Sequence, residues 1–110
     1  MKYQVTLSCT GNSIPSSDPK AALAIMEQSI LPTLDTLSKW EREKRVFGGC
    51  VAGAREISFV VEAGSNEEVG ELVHTLPIWA YVHTEIKPLE SFEFRLNQDR
   101  KFLNDAKKRY

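Results

Sequence analysis

Three side chains that can hold or move a proton recur at alternate positions in one short stretch: Tyr81, His83 and Glu85 in AYVHTEIK. In an extended strand, alternate residues share a face about 7 Å apart, so a phenol, an imidazole and a carboxylate would address one small ligand together. An imidazole beside a carboxylate suits general acid–base work, in which one group takes a proton and a group nearby returns it. His83 and Glu85 are therefore the candidate catalytic pair, and Tyr81 a candidate ligand-binding residue. The same three residues also fit a polar strand face or interface that does no chemistry.

The elements around this stretch have to position it. Pro77 ends a preceding helix, because it has no N–H to donate and clashes with the turn before it. From Tyr81 the pattern alternates to Lys87, with Val82, Thr84 and Ile86 on the opposite, mostly apolar face. Further back, Lys2 to Cys9 alternates as a first strand, with Tyr3, Val5, Leu7 and Cys9 on one side and Lys2, Gln4, Thr6 and Ser8 on the other. Gly11 to Ser17 reads as a loop. A first helix is expected from Asp18, capped by Ser17 or Asp18 with Pro19 at its first position. Its apolar stripe is Leu23, Met26, Ile30, Leu34 and Leu37, and Pro32 should kink or split it. The mixed charges from Glu41 to Arg45 read as a solvated helix end.

A second strand is expected from Val46 to Val51, made irregular by Gly48 and Gly49, with a bulge as one outcome. A turn follows from Ala52 to Arg55. No phosphate loop is present, because no Gly-Lys-Ser/Thr follows these glycines. Glu56 to Glu62 is the third strand, with Ile57, Phe59 and Val61 on one face and Ser58 and Val60 on the other. Ser65 caps a second helix carrying Val69, Leu72, Val73 and Leu76 inward. After the fourth strand, Phe92, Phe94 and Leu96 read as a short strand or arm, and Gln98 to Tyr110 as a final helix.

The order is β-α-β-β-α-β with a C-terminal extension, an α+β, ferredoxin-like arrangement with both helices on one face of an antiparallel sheet. Gln4, Thr6 and Ser58 then share the face of His83 and Glu85 and join the candidate ligand-binding set, and Arg55 and Lys2 are candidate anion holders. The chain has 110 residues, 42% hydrophobic, with a net charge of −1. That length fits a single domain over residues 1–110. The interspersed charge gives no argument for nucleic acid or an anionic membrane. No apolar run is long enough to span a bilayer and none resembles a signal peptide, so a cytoplasmic protein is expected. Cys9 and Cys50 lack metal-ligand spacing, and neither a metal nor a cofactor is expected.

A helix ending in Leu76-Pro77, followed by Tyr81 and an alternating strand with Glu85 four residues on, resembles muconolactone isomerase. The resemblance is best from about Gly49 to Leu89; His83 replaces an acid of that family's strand and Ala80 a proline. It implies a dimeric α+β barrel in which two sheets pack face to face, hence a homodimer or higher homo-oligomer. It also implies a lactone-like small molecule in the barrel interior, transformed by proton transfer. Two alternatives stand beside it. One is a cofactor-free monooxygenase of the same barrel type, with Trp40, Trp79 and Tyr81 lining an aromatic pocket. The other is a non-catalytic ligand-binding or assembly module.

Overall fold

The computed structural model describes residues 1–9 and 18–110; the expected loop over 11–17 and a cap at Ser17 lie outside the described residues. The strands are β1 (Lys2–Ser8), β2 (Val46–Cys50), β3 (Glu56–Glu62) and β4 (His83–Leu89). They form one antiparallel sheet in the order β2-β3-β1-β4. The helices are α1 (Pro19–Ile25), α2 (Leu31–Arg42), α3 (Asn66–His74) and α4 (Phe92–Arg109). The expected α+β, ferredoxin-like order is present, with a helical C-terminal extension. Among the described residues, no helix is long and apolar enough to cross a membrane.

The alternating residues of β1 and β3 build the core as their period requires. Tyr3, Val5, Leu7, Phe59 and Val61 are buried against Leu37 of α2 and Val69 and Val73 of α3. Burying a branched or aromatic side chain of this kind contributes about 1.5–3 kcal/mol, so this face holds the helices on the sheet. Asp18 caps α1 by accepting from the Lys20 and Ala21 N–H groups, and Ser65 caps α3 through Glu68 N–H. The charged run from Glu41 to Arg45 is exposed at the end of α2.

Pro32 acts on the helix ahead of it. Between α1 and α2 lies a π-helical turn, Met26–Ile30, closed by the Leu31 N–H donating to the Met26 carbonyl. A proline ring clashes with the carbonyl four residues earlier, here Gln28, and the wider turn relieves that conflict. The extra residue also turns α1 about its axis. Leu23, expected to face inward, is 65% exposed, and Ala22 takes the inward position instead.

The segment after α3 differs from its expected form. Pro77 ends one helix and opens another turn, a 3₁₀ helix over Pro77–Tyr81. Proline suits a first helical position, because its φ is already set and no donor is lost there. Tyr81 therefore lies outside β4, which starts at His83 and runs through Pro88; an edge strand tolerates the missing N–H. Thr33 fixes this turn. Its fully buried hydroxyl donates to the Ser29 carbonyl at 2.7 Å and accepts from the Ile78 N–H at 3.0 Å.

Two further expectations are corrected. β2 pairs with β3 in unbroken register, so it carries no bulge. Gly48 serves a close approach instead: a Cβ there would overlap the Ser58 carbonyl oxygen and lie 2.6 Å from Phe59 Cα. Residues 92–96 are not a strand but the start of α4, because Ser91 caps Phe94 N–H at 3.0 Å and Arg95 pairs with Asp99 one turn on. α4 leaves the sheet and stands clear of it. The radius of gyration is 18.7 Å, against about 13 Å for a compact chain of this length.

Thr33→Val keeps the shape of the side chain but leaves the buried Ile78 N–H without an acceptor. The expected cost is about 1–3 kcal/mol in urea unfolding with an unchanged m-value. A loss under about 0.5 kcal/mol would show that the turn does not depend on this hydroxyl.

Candidate functional site

Cross-strand register decides which polar residues meet. Thr6 pairs with Ser58 on one side and Glu85 on the other. Ser8 stands between Glu56 and His83, and Gln4 between Val60 and Lys87. All these residues lie on the face away from the helices, since their neighbours Val5, Leu7 and Phe59 are buried in the core. On this face His83 Nε2 lies 3.5 Å from Glu85 Oε1, and Lys87 Nζ lies 4.0 Å from Glu85 Oε2. The Glu85 carboxylate is thus shared between an imidazole and an ammonium, with the Thr6 hydroxyl beside it on β1 and Ser58 one strand further on.

No described element of the chain covers this face. The His83 and Glu85 side chains are each more than half exposed. Phe47, on the same face and paired with Val60, is 67% exposed. Exposed ion pairs of this kind add little to stability.

The structure divides the expected site residues. Gln4, Thr6, Ser58, His83 and Glu85 come together. Tyr81 closes the 3₁₀ turn instead of sharing the strand face. Arg55 lies on the β2–β3 hairpin and lines a cavity on the other side of the sheet. Glu56 and Lys87 were missed as neighbours of the pair; both follow from strand alternation once the register is known. Cys50 is exposed, and with Cys9 it borders that same cavity.

The cavity measures about 300 Å³ and lies between the helices and the core-facing side of the sheet. Its wall is largely apolar. A smaller one, about 150 Å³, adjoins it under α2 and shares Leu34, Cys50 and Ile57. Trp40, Trp79 and Tyr81 line neither. Instead Arg45 stacks over Trp40 at 5.2 Å, and His74 meets Trp79 with ring centroids 3.8 Å apart. Among the described residues no cluster of three metal-ligating side chains occurs.

The fold defined by this sheet and its helices is shared with a solved enzyme. The crystal structure of muconolactone isomerase at 3.3 Å resolution matches with a TM-score of 0.63, over 83% of this chain and 90% of that one, at 19% sequence identity. A likeness at that identity shows the fold alone. No protein-family model and no curated protein matches the chain.

Between His83 and Glu85, Thr84 points to the other side of β4, and its Oγ1 is buried without a hydrogen-bond partner among the described residues. Thr84→Val removes that unsatisfied hydroxyl while keeping a β-branched residue in the strand. Stability is expected to hold or rise by up to about 1 kcal/mol in thermal unfolding; a clear loss would show that the hydroxyl has a partner.

Proposed function

We propose that this protein is a muconolactone isomerase-like enzyme, acting as a single domain without a cofactor on a small unsaturated, lactone-like molecule. The observation that carries this reading is the His83–Glu85 contact of 3.5 Å on a polar face that the chain itself leaves open. The shared fold supports it.

The reaction moves a proton between two carbons. A base removes a proton beside the lactone carbonyl, leaving a dienolate, and an acid returns a proton at the far end of the conjugated system. Glu85 is the base and His83 the partner that holds and returns the proton. Thr6 stands beside Glu85 with Ser58 on its far side; both donate to the ligand's oxygens, and Gln4 extends that row. Lys87 sits where negative charge develops and offsets it.

Such chemistry needs a dry, enclosed site, and a second copy of the chain packed over the open face supplies it. Phe47 and Val60 give that interface an apolar patch. α4 belongs to the same assembly. It is an 18-residue helix with Phe92 97% exposed and Phe102 74% exposed. An isolated helix is marginal in water, so α4 packs on the second copy.

Two experiments test these readings. His83→Ala and Glu85→Gln are each expected to lower turnover of unsaturated lactones by about 10²-fold or more while leaving the melting temperature unchanged. A wild-type protein inert toward every such lactone would end the catalytic reading. By light scattering the intact chain is expected to be at least dimeric at micromolar concentration, with at least about 1,200 Å² buried in total. Removing residues 90–110 is expected to weaken that association. A truncated chain with unchanged mass and melting temperature would show that α4 plays no part in it.

A further inference from the structure

We propose that α4 pairs antiparallel with α4 of a second copy of the chain, along a seam made by Phe92, Leu96, Asp99, Leu103, Ala106 and Tyr110. The pairing rests on the self-association read from the open sheet face, and it names the surface that α4 meets.

Spacing is the first ground. The seam residues follow one another at alternating steps of four and three, with Tyr110 as the C-cap of α4. A helix turns by about 100° per residue, so all of them fall within an arc of about 80°. Steps of four and three average 3.5 residues, the repeat with which one helix packs along another. The chain itself does not cover this stripe. No residue of α4 is buried, and Phe92, Leu96, Leu103 and Tyr110 are all exposed.

The second ground is the acid in the seam, which decides orientation. A parallel pair sets each seam residue against its own counterpart, so Asp99 meets Asp99. It also brings Arg95 beside Arg100 of the second copy. Like charges repel in both contacts. In the antiparallel pair Asp99 faces Leu103, Leu96 faces Ala106 and Phe92 faces Tyr110, and two-fold symmetry makes each contact twice. Asp99 lies 3.4 Å from Arg95 of its own helix. The antiparallel pair adds Arg100 of the second copy beside it, so the carboxylate in the seam has a cation from each helix.

The third ground is charge along the flanks. Glu93 at the start of α4 falls beside Lys107 of the second copy, and the positive end of each helix dipole lies beside the negative end of the other. Arg95 falls opposite Arg109 of the second copy, but Glu90 and Asp99 of its own chain stand 3.7 and 3.4 Å from it. Phe102 borders the seam at its midpoint, where it meets its own counterpart. An isolated helix of 18 residues is marginal in water, and this contact gives its apolar stripe a partner of the same length.

The test is zero-length carbodiimide cross-linking of the full chain, with two isotopically distinct preparations mixed and the products read by mass spectrometry. Glu93 and Lys107 lie fourteen residues apart, about 21 Å along one helix, so an amide between them forms only across two copies. The expected product joins Glu93 of one preparation to Lys107 of the other. Leu103→Ala is expected to lower its yield at least about fivefold. Phe94→Ala, on the opposite side of α4, is expected to leave the yield unchanged. Absence of that product in a chain that light scattering shows to be associated would overturn the pairing and leave the self-association standing; a monomeric chain would overturn both. Products that join α4 to the sheet or to other helices of the second copy, or an equal loss of yield from Phe94→Ala, would overturn the seam.

Discussion

The Thr33 hydroxyl couples the two halves of the chain. It donates a hydrogen bond to the Ser29 carbonyl in the π turn before α2 and accepts one from the Ile78 N–H, 45 residues on. Both bonds are buried, where an unmet N–H is costly. Through them the 3₁₀ turn at Pro77–Tyr81 is anchored to α2, and the start of β4 follows from the end of that turn. The orientation of His83 and Glu85 on one face, and of Val82 on the other, thus traces back to a single side chain at the bottom of the core.

The other constraint is Pro32. A proline near the start of α2 cannot be matched by an ordinary α turn before it, and the π turn is the local answer. Its consequence reaches beyond the helix. It rotates α1 so that Leu23 faces out and Ala22 faces in, and a small residue there leaves room where a leucine would have filled it. The same conflict that bends the helix therefore opens the cavity beneath it.

The sheet divides the molecule's polar chemistry. One side presents His83, Glu85, Thr6 and Ser58 on an open surface; the other borders a half-open, largely apolar cavity with Arg55 among its lining residues. Adjacent residues of a strand point to opposite faces, so they do not act at one site however close in sequence they lie.

Much of the fold was legible in the residues. Period-two alternation in Lys2–Cys9 and Glu56–Glu62 fixes which side chains are buried, because a pleated strand has only two faces. Ser65 ahead of Glu67 and Glu68 marks a helix start, and the grouping of Gln4, Thr6, Ser58, His83 and Glu85 follows once the strands are paired in ferredoxin-like order. Tyr81 was misplaced because a proline that ends one helix can equally begin the next turn; which it does is decided by Thr33, 44 residues earlier in sequence. The start of α4 was missed because Phe92, Phe94 and Leu96 satisfy a strand's period, while Ser91 as a cap and Arg95 paired with Asp99 satisfy a helix's. The cavity was not legible at all. It depends on a rotation of α1 set by one extra residue in a turn, and on walls drawn from four separate stretches of chain. Local pattern determines which way a side chain faces within its own element; only the packing of elements determines what lies opposite it.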